Sequence, residues 1–288
     1  MSETICTMRA FDAIRLRYRR YEPEPCKPIR SATVVCLAGI SRSSLDFTEL
    51  ASRLCSDGFR VLCPDYRGRG LSDYARRPLQ DYKAPVYLED LRHLCTIEQC
   101  DAIIIIGTSL GGILAMCAGI TMPGLVRGVV LNDIGPTLEV PAIQTIASYI
   151  GKRHEHQTRE QGIALLQQVI PADYFDDEAS LVRLHQNTFI GNAREGYQAN
   201  WDPAIAIPLQ KTALMTDLWR FYRSLNRIPI LAVRGANSRV LSRQTLLDMQ
   251  DQHPDCTVIE VANRGHVPFL DEAELIQSLP AFLHRIVA

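Results

Sequence analysis

Short runs of apolar residues recur along the chain and alternate with stretches in which the apolar residues follow helical spacing. Apolar runs of this length, bounded by turn-forming residues, are typical of buried β-strands. The strands predicted in this way are residues 32–37, 60–64, 102–106, 126–131, 229–233 and 256–261. Strands that alternate with helices usually form a mostly parallel sheet with helices on both faces, an α/β architecture. Residues 4–9 and 14–22 are expected to add an antiparallel hairpin at one edge.

The alternation stops in the middle of the chain. From residue 137 to residue 211 helical patterns prevail, for example at 162–170 and 180–189. We therefore expect a core domain made of residues 1–136 and 212–288, with residues 137–211 inserted as a helical cap. The insertion follows the fourth predicted strand, so it should lie over the carboxyl ends of the strands, where ligands bind in open α/β sheets.

Composition and charge narrow the range of partners. The chain has 288 residues with 31 Lys and Arg against 32 Asp and Glu, a formal net charge of -1. Because no long run of one charge sign occurs, we expect neither nucleic acid nor a membrane as a partner. The first eight residues lack a secretory pattern and no apolar stretch reaches spanning length. A cytoplasmic location is therefore expected, and the sequence gives no indication of oligomeric state.

Cysteine usage indicates a reducing compartment. The nine cysteines lie at positions 6, 26, 36, 55, 63, 95, 100, 117 and 256, without a C-x-x-C pair or metal-ligand spacing. An odd number and the apolar surroundings of Cys36 and Cys63 favour small buried side chains over a disulfide framework. We therefore expect these thiols to be structural.

A serine at a predicted strand-to-helix turn is the clearest chemical signal. Residues 107–111 read Gly-Thr-Ser-Leu-Gly, directly after the apolar run 102–106 and before a helical stretch. A nucleophilic serine in a G-x-S-x-G segment stands on a sharp, strained turn at the edge of the sheet. The helix that starts beside Ser109 would direct free N–H groups toward an oxyanion formed there. Ser109 is therefore the predicted nucleophile.

His266 is the predicted general base among seven histidines. It follows the last predicted strand and precedes the last predicted helix, so it should lie at the same sheet edge as Ser109. An imidazole there could accept the serine proton and return it to a leaving group. His154 and His156 could suggest a metal pair, but their polar surroundings favour a solvated face instead.

Two backbone N–H groups are the predicted oxyanion donors. Acyl transfer uses the amide of the residue after the nucleophile and an amide from an early strand-to-helix loop. Leu110 follows Ser109, and Ile40 lies in the loop directly after the strand 32–37. We assign the oxyanion hole to these two amides, for which side-chain identity matters little.

The combined motifs resemble the α/β-hydrolase fold with a cap domain. The matching segments are 37–40, 65–73, 107–111 and 265–266, in the order that this family has. The resemblance implies a serine hydrolase that cleaves a small-molecule carboxylic ester or lactone through an acyl-enzyme, without a metal or other cofactor. It also implies that segment 65–73, Asp-Tyr-Arg-Gly-Arg-Gly-Leu-Ser-Asp, forms a turn beneath the pocket, with an arginine paired to Asp65 or Asp73.

The triad acid departs from the pattern of the family. Its members usually carry the carboxylate in the loop after the strand matching 229–233, but residues 234–240 contain no Asp or Glu, and Ser238 and Arg239 occupy the corresponding positions. Some members have the acid after the strand that precedes the cap, which makes Asp133 the candidate. Asp217 is a weaker candidate, and the Asn237 amide is an uncharged alternative for orienting the imidazole.

Alternative functions stay open at this point. A carbon–carbon bond hydrolase of the same fold, acting on a diketone-like substrate, would use a similar serine and histidine. A non-catalytic binding protein would explain the loop without its acid. Dehalogenase or epoxide-hydrolase chemistry is disfavoured, since the nucleophile there is a carboxylate at the position of Ser109. The aromatic residues of the cap are expected mostly in its core, although some could line a pocket: Tyr149, Tyr174, Phe175, Phe189, Tyr197 and Trp201.

Overall fold

A computed structural model describes residues 1–24, 29–175, 177–211 and 217–287. The strands of these residues are β1 Ser2–Arg9, β2 Arg15–Glu22, β3 Thr33–Leu37, β4 Val61–Pro64, β5 Ile103–Thr108, β6 Val126–Asn132, β7 Glu155–His156, β8 Phe189–Asn192, β9 Gly196–Ala199, β10 Ile230–Gly235 and β11 Cys256–Val261. The helices are α1 Thr48–Ser56, α2 Pro78–Asp81, α3 Ala84–Ile97, α4 Leu110–Thr121, α5 Val140–Ile150, α6 Arg159–Gln167, α7 Glu178–Thr188, α8 Ala206–Lys211, α9 Trp219–Arg223, α10 Arg243–Asp251 and α11 Ala273–Val287. Short 3-10 turns occur at Ser44–Phe47, Ala172–Tyr174 and Pro203–Ile205.

Eight strands form the main sheet, in the order β1-β2-β4-β3-β5-β6-β10-β11. The β1-β2 hairpin is antiparallel and lies at one edge, and β2 pairs antiparallel with β4. All pairs from β4 to β11 are parallel. The predicted mostly parallel sheet with an edge hairpin is thus confirmed. The strand predicted at 102–106 extends to Thr108 as β5, because Gly107 still pairs with Leu37 of β3.

The central strands are apolar because both of their faces are covered. The four isoleucines 103–106 of β5 are fully buried, and α4 packs directly against this strand. Cys36 on β3 and Cys63 on β4 are also fully buried, as the sequence predicted. The eight described cysteines are free thiols, and Cys26 lies outside the described residues.

The segment between β6 and β10 carries the elements that interrupt the alternation. Helices α5 to α8 lie within residues 137–211, where helical patterns prevail in the sequence, and α9 follows that range; the segment also contains a three-stranded antiparallel sheet in the order β7-β9-β8. These strands have only two to four residues and no apolar run, so hydrophobic patterning does not predict them. Backbone bonds join this segment to the turn 65–73: the Gly70 amide donates to the Asn200 carbonyl (3.1 Å) and the Asp202 amide to the Gly68 carbonyl (2.8 Å).

The parallel arrangement brings the carboxyl ends of six strands to one edge of the sheet. The loops after β3, β4, β5, β6, β10 and β11 all leave from this edge. The predicted chemical residues belong to these loops, so the topology alone collects them in one region. Over the described ranges, no helix combines the length and apolar character that crossing a membrane requires.

Candidate active site

Ser109 occupies a strained turn between β5 and α4. Its backbone has φ 51° and ψ -113°, in the left-handed half of the map that a residue with a side chain rarely adopts. The Ser109 amide donates to the Asn132 carbonyl at 3.1 Å, which ties the turn to β6. Gly111 permits the sharp reversal, because a Cβ atom there would lie 2.0 Å from the Leu37 carbonyl oxygen. The serine side chain is therefore held at the sheet edge by its backbone.

His266 lies between Ser109 and Asp133. Its Nε2 atom is 3.1 Å from Ser109 Oγ, and its Nδ1 atom is 2.8 Å from Asp133 Oδ2. The imidazole is 14% exposed, whereas the carboxylate is fully buried. The three residues are separated by up to 157 positions in the chain and meet only because β5, β6 and β11 end at the same edge. The predicted serine, base and acid thus form one hydrogen-bonded series.

The Asp133 carboxylate is enclosed by hydrogen-bond donors. Directly after β6, Asp133 adopts φ 52°, and its amide donates to the Val233 carbonyl at 2.8 Å. Its Oδ1 accepts the Gly235 amide at 3.0 Å, while Oδ2 accepts the Ser238 hydroxyl at 2.5 Å in addition to His266. Such donors compensate a buried carboxylate for its lost hydration. Asp133 is therefore fixed with one oxygen aimed at the imidazole.

Ser238 is a residue of this site to which the sequence analysis assigned no role. Its Oγ accepts the amides of Val240 (3.1 Å) and Leu241 (3.2 Å), so its own proton is left for the Asp133 carboxylate. The position was a signal in itself, because Ser238 stands where the family usually has its acid. A hydroxyl donor now occupies that place and supports a carboxylate from the neighbouring strand.

The two other candidates for orienting the imidazole lie elsewhere. Asp217 is exposed, and its carboxylate accepts the Trp219 amide at the start of α9 (3.0 Å). The Asn237 side-chain amide donates to the Asp173 carbonyl. Neither side chain is the partner of His266 Nδ1, which contacts Asp133 instead.

The amides of Ile40 and Leu110 are both available for a ligand. Among the described residues, neither N–H group donates to a protein acceptor. For Leu110 this follows from its position as the first residue of α4. Ile40 lines the cavity beside Ser109, and its carbonyl accepts the Nε–H of Arg69 at 2.7 Å. The loop that holds the Ile40 amide is thereby anchored to the turn 65–73.

The arginines of the turn 65–73 do not form the expected ion pair with Asp65 or Asp73. Arg67 is bound by Asp12 (2.7 Å) and Asp90 (2.8 Å), not by Asp65 or Asp73, because its side chain reaches away from the turn toward α3 and the hairpin. Asp65 instead accepts two backbone amides, those of Ser44 and Leu71, and Asp73 pairs with Arg15.

Arg69 has no carboxylate partner within the described part of the chain. Its guanidinium is buried and donates to the Ile40 carbonyl, the Arg67 carbonyl and the Tyr87 hydroxyl. Three tyrosine rings, those of Tyr66, Tyr82 and Tyr87, surround it at 5.1 to 5.8 Å. Aromatic faces and oxygens thus stabilise this cation in place of a carboxylate.

A cavity of about 550 Å³ opens above Ser109 and His266. One wall comes from the loops at the sheet edge and the other from the segment between β6 and β10. Tyr174 of that segment packs so closely against Gly265 that a Cβ atom there would overlap its ring at 2.0 Å. The apolar lining residues include Phe47, Ala142, Ile146, Ile150, Leu166, Val169, Leu184, Val240 and Phe269.

Of the six aromatic residues expected mostly in the cap core, three line the cavity and three do not. Tyr149, Tyr174 and Phe175 line the cavity. Phe189 and Trp201 are buried, and Trp201 donates to the Ile150 carbonyl at 2.9 Å. Tyr197 is partly buried and stacks on His156.

The expectation of a solvated face at His154 and His156 is wrong. His156 is buried, and its Nε2 atom lies 2.9 Å from Nε2 of His185 on α7. His154 is partly buried, stacks on Tyr149 with ring centroids 4.1 Å apart and contacts the Tyr149 carbonyl through Nε2. Tyr149, five residues earlier, covers the His154 ring, whereas the distant Phe189 and Tyr197 cover the His156 ring. Within the described ranges no group of three or more His, Cys, Asp or Glu side chains is arranged to hold a metal ion.

Comparisons with known proteins agree with this architecture. The sequence profile of the Alpha/beta hydrolase family matches residues 34–277. The chain is 31% identical to a 3-hydroxybutyrate-oligomer hydrolase of Cupriavidus necator, covering 86% of this chain and 87% of that protein. It is 30% identical to a 2-(acetamidomethylene)succinate hydrolase of Mesorhizobium japonicum, covering 79% of each chain.

A solved structure gives the same result in three dimensions. The crystal structure of an alpha/beta hydrolase from Novosphingobium aromaticivorans superimposes with a TM-score of 0.89, at 33% identity and with 98% of both chains covered. The named relatives are hydrolases, which supports a hydrolase role for this protein. On the profile match, the similarity over most of the chain and the shared fold, the protein belongs to the alpha/beta hydrolase family.

Proposed function

We propose that this protein is a serine hydrolase that cleaves a carboxylic ester or lactone through an acyl-enzyme. The observation that carries the proposal is the unbroken series Ser109 Oγ to His266 Nε2 (3.1 Å) and His266 Nδ1 to Asp133 Oδ2 (2.8 Å). A serine hydroxyl becomes nucleophilic when a base accepts its proton, and the base is effective when a carboxylate orients it and stabilises its cation.

The proposed reaction has two halves. Ser109 Oγ attacks the ester carbonyl while His266 Nε2 accepts its proton, and the Ile40 and Leu110 amides bind the oxyanion. The tetrahedral intermediate collapses to the acyl-enzyme, and His266 returns the proton to the departing alcohol. A water molecule then attacks the acyl-enzyme, losing its proton to His266, and that proton goes back to Ser109 as the acid product leaves. No redox change occurs, and neither a metal nor an organic cofactor is required.

We also propose that residues 137–211 act as a cap over a core of residues 1–136 and 212–288. Support comes from the cavity, whose lining combines Ser109 and His266 with side chains of α5, α6 and α7. An apolar enclosure of this kind selects substrates by shape and excludes water from the oxyanion. The boundary near residue 212 lies outside the described residues.

The chemistry of the relatives' substrates supports a small acidic molecule as the substrate. A 3-hydroxybutyrate oligomer is joined by ester bonds and ends in a carboxylate, and 2-(acetamidomethylene)succinate carries two carboxylates. The second of these names contains no ester, so hydrolysis of a bond other than an ester is the second candidate function. A carbon–carbon hydrolase acting on a diketone belongs to the same group of alternatives.

The test combines turnover with covalent labelling of the serine. Wild type and Ser109→Ala would be assayed on p-nitrophenyl esters from acetate to decanoate, on the 3-hydroxybutyrate dimer and on a β-diketone, and both would be treated with a fluorophosphonate probe. Ester turnover and labelling in the wild type, both lost in Ser109→Ala, are expected. Turnover of the diketone alone would favour the carbon–carbon alternative. A folded wild type without labelling or turnover would favour a binding protein.

A further inference from the structure

The cavity lining contains a polar cluster of Arg42, Asp46 and Thr188, and Arg42 is at its centre. Arg42 follows β3 in the loop that holds Ile40, and its amide donates to the Gly39 carbonyl at 3.1 Å. Gly39 separates this arginine from the nucleophile: a Cβ atom built there would lie 3.2 Å from Arg42 Cγ and 3.8 Å from Ser109 Cβ. The cationic side chain therefore starts next to the reacting serine.

The Arg42 guanidinium is fixed, but not all of its donors are used. Nε and Nη2 donate to the two oxygens of Asp46 at 2.8 and 2.5 Å, and Nη1 donates to the Thr188 hydroxyl of α7. Of the five N–H groups of a guanidinium, three are thus engaged with described residues and two are left over. Burial alone would lower the pKa of Arg42, but the charge and hydrogen bonds of Asp46 raise it, so the side chain stays a cation.

Tyr149 supplies a further donor from the facing wall. It lies on α5, lines the same cavity, and its hydroxyl is buried without a hydrogen-bond partner among the described residues. His154 and Trp201 pack against its ring, which fixes its position. Burial raises the pKa of Tyr149 to about 12, despite the opposing charge of Arg42, so the hydroxyl keeps its proton at neutral pH. A buried donor without an acceptor carries a free-energy penalty that a ligand can remove.

The charges that line the cavity favour an anion. The lining contains two arginines, Arg42 and Arg239, against one carboxylate, Asp46, in addition to His266, and Arg239 is itself paired with Asp173 outside the lining at 3.6 Å. Within the described residues, the two unused N–H groups of Arg42 and the unpaired hydroxyl of Tyr149 favour a ligand that only accepts hydrogen bonds. A carboxylate is such a group, and it pairs with the guanidinium fork more strongly than a neutral carbonyl does.

We propose that Arg42 and Tyr149 bind a carboxylate of the substrate, so that the enzyme acts on esters of short hydroxy acids that keep a free acid group. This inference rests on the proposed function, because it takes Ser109 as the point of attack. The carboxylate accepts the two remaining Arg42 N–H groups and the Tyr149 hydroxyl. Because the carboxylate is only a few bonds from the ester carbonyl, binding it positions that carbonyl over Ser109.

The experiment compares two substrates that differ only at this group: the 3-hydroxybutyrate dimer and its terminal primary amide. Wild type is expected to have a kcat/KM at least tenfold higher for the acid, as a charge-assisted hydrogen bond implies. In Arg42→Gln/Asp46→Asn, which removes the fork while keeping the pair electrically neutral, the ratio should fall close to one. In Tyr149→Phe it should fall about threefold, since one neutral donor is lost. Arg92→Gln, an exposed arginine on α3, is the control that keeps the wild-type ratio.

The outcomes separate this inference from the proposed function. If wild type hydrolyses both substrates through Ser109 with equal kcat/KM, or if the double variant keeps the preference, the carboxylate site is wrong and the ester hydrolase stands. If wild type hydrolyses neither of these two substrates nor any of the p-nitrophenyl esters, the proposed function fails. Calorimetric titration with 3-hydroxybutyrate and 3-hydroxybutyramide then tests the site alone. Binding of the acid by wild type but not by the double variant supports it, and equal behaviour of the two proteins overturns it.

Discussion

Two histidine sites of this protein are built in opposite ways. At the sheet edge, His266 has a carboxylate on Nδ1 and a serine hydroxyl on Nε2. In the segment between β6 and β10, His156 and His185 face each other through their Nε2 atoms at 2.9 Å. Their Nδ1 atoms are buried without a hydrogen-bond partner in the described ranges.

The two sites differ in how well they stabilise a protonated imidazole. Burial lowers the pKa of both His156 and His185, that of His185 to about 4, and for each a neighbouring histidine lowers it further. This pair is therefore neutral at pH 7: among the described residues no carboxylate is hydrogen-bonded to either ring, and the charge of Glu160 offsets only part of the effect of burial on the pKa of His185. His266 has Asp133 in that place. A buried imidazole can act as a general base when a carboxylate on its second nitrogen stabilises the protonated ring. Without such a partner, burial favours the neutral ring, which then has only a structural role.

The same substitution at the two sites should separate these roles most strongly. His266→Gln removes the proposed base, so kcat on a good ester substrate should fall on the order of 10⁴-fold or more. His185→Gln keeps a hydrogen-bonding side chain outside the cavity lining, and kcat should stay within about twofold, as is usual for changes remote from a reacting group. Steady-state kinetics on matched preparations measures both. Equal losses in the two variants would mean that His266 is not the base.

Moving the acid should give the next largest effect. Asp133→Ser should lower kcat about 10³- to 10⁴-fold, because the imidazole loses its tautomer control and the partner of its cation. Asp133→Ser/Ser238→Asp returns a carboxylate to the loop position that the family usually uses. Since Ser238 Oγ and Asp133 Oδ2 are hydrogen-bonded, the new carboxylate starts close to His266. At least tenfold of the activity should return. A double variant no better than Asp133→Ser would show that the backbone of β6 is essential to the geometry.

The sequence predicts the main sheet and the positions of the candidate catalytic residues, and the physical reasons can be named. Parallel strands that are buried on both faces are largely apolar, so β3 to β6 and β10 are readable as runs. The edge strand β11 is only partly buried and gives a weaker run. Ser109 and His266 are marked by their position after such runs. Asp133 could be named from the order of the chain, but its support by Ser238 depends on a contact between residues 105 positions apart.

What the sequence does not predict are contacts that no local pattern encodes. His156 follows a polar stretch, yet it is buried because His185, 29 positions later, packs onto it. Arg67 pairs with Asp12, 55 positions away, and Asp90, 23 positions away, although two nearer carboxylates flank its own turn. The strands β7, β8 and β9 are too short to leave a hydrophobic period. In each case tertiary packing decides.

A smaller effect is expected from the support of the acid. Ser238→Ala removes one of the three donors to the Asp133 carboxylate and leaves the amides of Val240 and Leu241 without an acceptor. We expect kcat to fall about tenfold and the free energy of unfolding to fall by about 1 to 2 kcal/mol. Chemical denaturation and kinetics on the same samples measure the two losses. Ser238→Thr, which keeps the hydroxyl, should recover most of the activity, and no recovery would indicate a packing defect instead.

The smallest effect concerns stability at the other histidine site, and its sign follows from linkage. Because the folded state holds the pKa of His185 near 4 against an ordinary value of 6.5, the unfolded chain binds a proton first as the pH falls. The contribution to stability is complete above about pH 6.5 and is lost between there and about pH 4, with a slope of at most about 1.4 kcal/mol per pH unit for one proton. Carboxylates titrate in the lower part of this window, so the informative quantity is the difference between wild type and His185→Gln. The variant should show the shallower decline from pH 6.5 to 5. If the free energies of unfolding of the two proteins decline in parallel, His185 accepts its proton in the folded state as readily as in the unfolded chain. The two histidine sites would then differ only in their hydrogen-bond geometry.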